Sequence, residues 1–210
     1  MKSIALFGGT GRTGKEFLKK ALAKGHKVRM LARTPAKVNT SSAQLEVVEG
    51  DVLNPEDVKK TVAGTDIVVS LFGHVKGSPK WLQSDGTFNI LSAMKEHRAD
   101  KIISLSGGGL PYEKDQPKFA DKMIRLIMKV AVPKVLNDAI RHAEILKESD
   151  KEWIIVRGPR LTDEPEKGNY RVGWVGVNAS TSIGRADLAD FLVKQVEDNQ
   201  FNQQMPFVSY

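Results

Sequence analysis

The sequence contains no cysteine in its 210 residues. This absence excludes disulfides, thiolate nucleophiles, iron–sulfur clusters and cysteine-ligated zinc sites. Long hydrophobic runs are missing as well, since no apolar stretch approaches the ~18 residues that a membrane-spanning helix needs. We therefore expect no membrane span. Because a chain without cysteine suits a reducing compartment, we predict a cytoplasmic location.

Histidine is also scarce, with four copies at His26, His74, His97 and His142. None stands at metal-ligand spacing from another histidine or a carboxylate, so we predict no metal site. Positive charge, in contrast, is in excess, and the net charge is +7. Such a balance suits nucleic acid, an anionic membrane or an anionic small molecule. The chain contains no nucleic-acid-reading motif, and we expect no nucleic-acid partner.

Apolar strand-like runs alternate with helical patterns along the chain, which is typical of βαβ units around a parallel sheet. We therefore predict an α/β fold, a Rossmann-type doubly wound parallel sheet with helices on both faces, as a single domain over residues 1–210. The predicted strands are 3–7, 27–32, 45–49, 67–72, 101–105, 153–157 and 205–209. The predicted helices are 13–24, one opened by Asn54 and Pro55, 82–97, 117–131, 134–149 and 185–197.

Residues 158–184 interrupt this alternation with a stretch rich in glycine, proline and charge. We interpret this stretch as a small C-terminal insertion over the carboxyl edge of the sheet, where open α/β folds bind their ligands. A short strand is predicted within it at 170–175.

The predicted helix 117–131 has a distinctive charge pattern. Lys118, Lys122, Arg125 and Lys129 are spaced by four, three and four residues and form a basic stripe, while apolar residues occupy another face. This pattern suits a helix on a membrane surface or against a partner. A helix that packs its apolar face on the core shows the same pattern more often, and we expect that arrangement here.

The sharpest motif is the glycine-rich stretch between the first predicted strand and the first predicted helix. Gly8, Gly11 and Gly14 are spaced three apart. A dinucleotide-binding loop needs small residues at this spacing for its turn, its phosphate contact and its close helix packing. The pyrophosphate is then expected at the helix N-terminus, where free N–H groups favour anions. A glycine-rich turn without a ligand is the alternative.

The same stretch nearly matches a second motif. Residues 9–15 approach the phosphate loop of nucleoside triphosphatases, in which the next residue is Ser or Thr and holds magnesium. Here that residue is Glu16, whose carboxylate would repel phosphate, so we do not expect a triphosphatase.

The end of the second predicted strand indicates which dinucleotide is bound. NAD enzymes place Asp or Glu there, about 20 residues past the loop, to bind the ribose hydroxyls. This chain has Arg33 instead, with Lys37 nearby and Arg12 within the loop. Cations at this position suit a 2′-phosphate, which a carboxylate would repel. We therefore predict NADPH as the cofactor.

Two further stretches follow predicted strands along the expected path of the cofactor. The Asp51 carboxylate can accept the adenine amino group while Val52 packs on the ring, although Asp51 could equally be a turn residue. Phe72 and Gly73 end the fourth strand, where a glycine allows close approach of the backbone to the ribose or nicotinamide.

Together with residues 61–66 and 183–189, these motifs resemble the atypical short-chain dehydrogenase/reductase family. The similarity is greatest to flavin reductases of the biliverdin reductase B type, and NmrA-like proteins are further relatives. The resemblance implies NADPH bound by Gly8, Gly9, Thr10, Gly11, Arg12, Thr13, Arg33, Asp51, Val52 and Gly73, to which we add Phe72. It also implies Ser106 as a catalytic residue beside the nicotinamide. A hydroxyl that merely closes a strand end is the alternative for Ser106.

The chain departs from this family at several positions. The main branch uses a Tyr-x-x-x-Lys pair, but Tyr112 is followed four places on by Gln116, and the other tyrosines have no such lysine. Ala139 and Arg160 stand where flavin reductases have histidines. We therefore do not expect ketone chemistry that needs a Tyr–Lys proton relay.

Two functions are compatible with these features. The first is an NADPH-dependent oxidoreductase that transfers a hydride to a flavin, a quinone or a similar small planar acceptor. In it, Arg160, Arg141 or His142 could steer an anionic acceptor, although a solvated or structural role is the more common one for such residues. The second is a non-catalytic NADP(H)-sensing regulatory protein of the NmrA-like type, which the missing Tyr–Lys pair favours. Ser106 and the compact length favour the enzyme, which is our prediction.

Overall fold

The computed structural model describes residues 1–210 and contains ten strands and six α-helices. The strands are β1 (Ser3–Phe7), β2 (Lys27–Ala32), β3 (Leu45–Glu49), β4 (Ile67–Ser70), β5 (Lys101–Gly107), β6 (Glu152–Gly158), β7 (Arg160–Thr162), β8 (Arg171–Gly173), β9 (Ser182–Gly184) and β10 (Phe207–Ser209). The helices are α1 (Arg12–Ala23), α2 (Pro55–Val62), α3 (Leu82–His97), α4 (Phe119–Ala131), α5 (Pro133–Lys147) and α6 (Arg185–Lys194). No helix combines the length and the apolar character that crossing a membrane requires.

Eight strands form the central sheet in the order β3-β2-β1-β4-β5-β6-β10-β8. All neighbouring pairs are parallel except β10 and β8, which are antiparallel. The strand order reverses at β1, which pairs with β2 on one side and with β4 on the other. The predicted Rossmann-type doubly wound fold is therefore confirmed. Such sheets bind ligands outside the carboxyl ends of the strands at this reversal.

A hydrophobic layer covers each face of the sheet. Alternate residues of a strand point to opposite faces, so Ile4 and Leu6 pack with residues of α1 and α6. Ala5 and Phe7 pack with residues of α2, α3 and α5 on the other face. The two layers hold the carboxyl ends of β1, β4 and β5 side by side, and these ends carry the loops of the candidate site.

Residues 158–184, predicted as an insertion with one strand, contribute three short strands. Strand β8 lies within the predicted range 170–175 and forms the edge of the main sheet against β10. Strands β7 and β9 pair in parallel as a separate two-stranded sheet and were not predicted. A strand of three residues is too short to show a periodic pattern, which explains why the sequence did not reveal them.

Helix α4 contradicts the prediction that its apolar face packs on the core. None of its residues is buried, and Phe119 and Val130 are 80% and 76% exposed. The helix meets the rest of the protein through Arg125, whose guanidinium lies 3.5 Å from the Asp115 carboxylate, and through the half-buried Met128. The helix itself was predicted correctly, but the face expected to contact the core was wrong.

Candidate functional site

The loop between β1 and α1 is shaped for close approach of a ligand. Gly8 has a φ of 81°, and a Cβ at this position would lie 2.5 Å from the backbone nitrogen of Phe72. Gly14 packs directly on the backbone of the loop, so the first turn of α1 needs a residue without a side chain there. Gly11, which precedes the helix, supplies no capping side chain. The first N–H groups of α1 are therefore available to an anion.

A cavity of about 460 Å³ lies beside this loop at the carboxyl edge of the sheet. Its volume falls within the roughly 300–1,000 Å³ of small-molecule sites. All the predicted cofactor-binding residues except Gly9 line it, namely Gly8, Thr10, Gly11, Arg12, Thr13, Arg33, Asp51, Val52, Phe72 and Gly73. Gly9 faces Met30 and Leu6 instead, so that its part is to let the loop lie close to the sheet.

Positive charge dominates the wall of this cavity. Arg12, Arg33, Lys37 and Arg185 line it, and Asp51 is the one carboxylate among the lining residues. This balance favours an anionic ligand. Arg185, the first residue of α6, was not predicted because the sequence gives no sign that α6 begins beside the glycine loop.

Asp163 joins two of these cations. Its Oδ2 lies 3.0 Å from Nη1 of Arg12, and its Oδ1 lies 2.7 Å from Nη1 of Arg185. A carboxylate from the segment 158–184 therefore bridges the glycine loop and α6. Arg33, in contrast, is exposed at the end of β2.

Asp51 lines the cavity and also closes a turn. Its Oδ1 accepts a hydrogen bond from the backbone nitrogen of Leu53 at 2.9 Å, and its own backbone nitrogen donates to Oδ2 of Asp57 at 3.1 Å. This is the turn role that the sequence left open. The second carboxylate oxygen can still accept a hydrogen bond from a ligand, since a carboxylate has two acceptor atoms.

Ser106 lies at the end of β5, between two cavities. It is buried, and its Oγ has no hydrogen-bond partner in the chain. Its neighbour Leu105 lines the first cavity, whereas Gly107 lines a second cavity of about 350 Å³. Ser106 itself lines neither. An unpaired buried hydroxyl costs roughly 1–3 kcal/mol, so this atom favours any ligand that offers it a hydrogen bond.

His74 lines the first cavity and was not predicted as a site residue. Its Nε2 lies 2.6 Å from Oδ2 of Asp138, a fully buried carboxylate on α5. Burial alone would raise the pKa of Asp138, but hydrogen bonds from Ser84, Gln83 and His74 outweigh burial and lower it. The carboxylate therefore remains charged and fixes the orientation of the imidazole. Only the fold brings α5 to the loop after β4, so no sequence signal could have paired them.

The three residues suggested to steer an acceptor lie in different environments. Arg160 lines the second cavity. Arg141 lies on the surface, with its Nη1 3.9 Å from Oδ1 of Asp85. His142 is buried, where its Nδ1 lies 2.8 Å from Thr87 Oγ1 and its Nε2 lies 3.0 Å from Oγ of Ser104. Of the two roles left open for His142, the structural one is confirmed, because the buried ring cannot reach a ligand.

The buried His142 gives a testable pH dependence. Burial lowers the pKa of His142 from 6.5 to about 4, so the unfolded chain binds this proton more readily than the folded one. The free energy of unfolding should therefore be highest above pH 6.5 and fall by about 3 kcal/mol as the pH decreases toward 4. Denaturant unfolding of the wild type at both ends of this range measures the change.

The variant His142→Gln should show a weaker dependence of the free energy of unfolding on pH. This expectation holds whether or not the substitution changes the stability near neutral pH. The matched control is His97→Gln at the half-exposed end of α3, which should leave the wild-type dependence intact. Equal pH dependence in His142→Gln and the wild type would show that other groups are responsible.

The sequence pattern of the NAD(P)H-binding family matches residues 8–199 of this chain. YwnB, an uncharacterized protein of Bacillus subtilis, is 26% identical over 207 residues, which cover 92% of this chain and 92% of YwnB. An uncharacterized chloroplastic protein of Arabidopsis thaliana is 25% identical over 225 residues, which cover 95% of this chain and 74% of that protein.

Solved structures share the fold at lower identity. A short-chain dehydrogenase/reductase from Veillonella parvula in complex with NADP has a TM-score of 0.78 and 17% identity, over 100% of this chain and 94% of that one. A protein from Streptococcus pneumoniae assigned as an NADH-flavin reductase has a TM-score of 0.80 and 18% identity, over 100% and 99% of the two chains. The resemblance that the motifs predict is confirmed at the level of the fold, which this chain shares with short-chain dehydrogenase/reductase proteins.

Proposed function

This chain belongs to the NAD(P)H-binding family, and from this premise we propose that it is an NADPH-dependent reductase, which transfers a hydride to a small planar acceptor such as a flavin or a quinone. The observation that supports this function best is the pair of cavities that flank the end of β5. One has the size and charge for a dinucleotide, and the other offers room for a second molecule next to it.

In this proposal the cofactor lies along the first cavity. Its pyrophosphate binds between Gly8 and Thr13 at the N-terminus of α1, where N–H groups favour anions. Its 2′-phosphate binds Arg33, with Lys37 beside it, and its adenine lies near Asp51 and Val52. The excess of cations in the cavity wall supports NADPH over NADH.

The acceptor binds in the second cavity. Gly107, Gly108 and Gly109 form one part of its wall, and Met128 and Phe207 contribute apolar surface. A wall of glycine backbone and apolar side chains suits the face of a planar ring. Arg160 also lines this cavity and suits an anionic group of the acceptor, such as a flavin phosphate.

NADPH, when bound, supplies the hydride, and the protein supplies orientation and electrostatics. When the end of β5 shifts toward a bound ligand, the buried Ser106 hydroxyl gains the nicotinamide carboxamide or the acceptor as its hydrogen-bond partner. The reduced acceptor takes its proton from solvent, because His74, held by the Asp138 carboxylate, lines the first cavity rather than the acceptor cavity. This route does not require a Tyr–Lys pair.

A non-catalytic NADP(H) sensor is the second candidate. No tyrosine of the chain is followed four residues later by a lysine, so the proton relay of the main family branch has no counterpart here. A sensor would use the first cavity alone, with cofactor occupancy controlling a protein partner.

Turnover distinguishes the two functions. We expect the purified protein to oxidise NADPH, followed by absorbance, with FMN, riboflavin or a simple quinone as acceptor, and to use NADH much less well. Ser106→Ala should lower turnover by roughly tenfold, which corresponds to the loss of one hydrogen bond. Ser92→Ala, on the exposed side of α3, is the matched control and should have no effect.

Tight NADPH binding without turnover of any acceptor would reject the reductase and support the sensor. Absence of both binding and turnover would reject the two functions together.

A further inference from the structure

The most extensive exposed apolar surface of this protein lies on α4 and the residue that follows it. Ten large apolar side chains of the chain are exposed, and seven of them lie in this segment: Phe119, Met123, Ile124, Leu126, Ile127, Val130 and Val132. Single exposed apolar residues are common on soluble proteins, but a contiguous patch marks a surface that binds something. Apart from Ile124, which lines the second cavity, these side chains have no part in the proposed hydride transfer.

The outward orientation of this patch follows from how α4 is anchored. Arg125 and Met128 face the protein, and the Arg125 guanidinium lies 3.5 Å from the fully enclosed Asp115 carboxylate. The opposite face carries Phe119, Met123, Leu126, Ile127 and Val130. They share it because residues spaced by four or seven positions align along a helix. The apolar face therefore cannot turn inward without loss of the Arg125 contact.

Exposed lysines border one edge of this apolar face. Lys118, Lys122 and Lys129 are all exposed. The one acidic residue of the helix, Asp121, accepts a hydrogen bond from the backbone nitrogen of Lys118 at 2.8 Å and so closes the first turn. An apolar face with a row of lysines along its edge is the pattern of helices that lie in the surface of an anionic bilayer.

We propose that α4 is a membrane-surface helix that binds anionic lipid headgroups, with its apolar face at the acyl boundary and its lysines on the lipid phosphates. A second copy of this chain is a poorer occupant for two reasons. A helix of 13 residues is about 20 Å long, so its face offers much less than the roughly 800 Å² per partner of a stable dimer. Pairing two such faces would also bring the lysines of both copies close together.

Flotation with lipid vesicles tests this proposal. We expect the protein to bind vesicles of phosphatidylglycerol and phosphatidylcholine in equal parts, to bind pure phosphatidylcholine vesicles much more weakly, and to dissociate at high salt because salt screens the lysines. The double variant Lys122→Ala, Lys129→Ala should bind roughly 30-fold more weakly, since each lysine near an anionic surface corresponds to about fivefold in the partition coefficient. Ile127→Ser should weaken binding by roughly tenfold through lost apolar contact.

The matched control removes the same charge elsewhere. Lys60 and Lys95 are exposed on α2 and α3, and the double variant Lys60→Ala, Lys95→Ala should bind these vesicles within about twofold of the wild type. Circular dichroism establishes that each variant is folded. The test is independent of the reductase assay, because it measures binding without cofactor or acceptor.

Three outcomes would overturn the proposal. The first is no flotation with the anionic vesicles at low salt. The second is equal weakening by the α4 variant and the control variant, which would assign binding to net charge alone. The third is a dimer in light scattering that dissociates on Ile127→Ser, which would assign the face to a second copy of the chain.

Discussion

Replacing Arg33 by aspartate should reverse the cofactor preference, with NADPH binding weakened roughly a hundredfold and NADH binding retained or improved. Arg33 lines the dinucleotide cavity at the end of β2 and is exposed there. A hydrogen bond to a charged group contributes about 1.5–3 kcal/mol, and every 1.4 kcal/mol corresponds to about tenfold in affinity. The aspartate would also repel the 2′-phosphate and could bind the ribose hydroxyls of NADH.

The dissociation constants of NADPH and NADH for the wild type and the variant measure this reversal. Lys60→Asp introduces the same change in charge on α2, away from the cavity, and should leave both constants nearly unchanged. If Arg33→Asp weakened both cofactors equally, or neither, the phosphate would have to bind elsewhere, with Arg12 and Arg185 as the remaining cations of the wall besides Lys37.

The nucleotide half of the fold is predictable from the sequence because its signals are local. Strand β1 ends in an apolar run at Phe7, directly before Gly8, and α1 ends before Gly25, whose φ is 80°. Asn54 caps α2 with its side chain, as its position before Pro55 predicts. In each case one or two residues determine where a helix or strand begins or ends, so residues that are adjacent in sequence are sufficient to predict it.

The parts of the candidate site that the sequence did not predict are those that depend on contacts between residues far apart in the sequence. Residues 8–14 lie together because they are one loop, and Arg33 follows from the spacing of one βαβ unit. Arg185 reaches the cavity, and Asp163 reaches Arg12, only through the packing of distant elements. His74 directly follows the predicted Gly73, but its partner Asp138 comes from the distant α5. Asp163 contacts Arg12 across 151 positions of sequence, and no periodic pattern records a contact at that distance.

Helix α4 shows a further limit of sequence patterns. Its amphipathic spacing identifies two faces but does not say what each face contacts. The core-facing interpretation rests on how such helices usually pack, whereas here Arg125 and Met128 occupy the inner side. A hydrophobic stripe therefore predicts that the apolar face of a helix contacts something. Only the tertiary structure shows whether that contact is the core of the same chain.

Asp115→Ala should lower the free energy of unfolding by about 3–5 kcal/mol, the range for removing one partner of a buried ion pair. Arg157 is fully buried on β6, and its Nη1 and Nη2 each lie 2.8 Å from an oxygen of the Asp115 carboxylate. The truncation leaves the guanidinium charged and without its carboxylate inside the protein. Denaturant unfolding of the variant and the wild type measures the loss.

Asp100→Ala is the matched control for this prediction. Asp100 pairs with Lys151 at 3.2 Å, but its side chain is 80% exposed. Solvent screens such a pair, so its loss should cost less than about 1 kcal/mol. A loss of that small size in Asp115→Ala as well would mean that water or rearrangement compensates the Arg157 charge.

The Asp115 carboxylate also connects the elements around the second cavity. Its Oδ1 accepts a hydrogen bond from the backbone nitrogen of Val175 at 3.1 Å, and its Oδ2 lies 3.5 Å from Arg125 of α4. Both residues line that cavity. Under conditions where Asp115→Ala is still folded, we therefore expect a raised KM for the acceptor and an unchanged Kd for NADPH. Equal effects on both would indicate that the two cavities depend on the same supporting contacts.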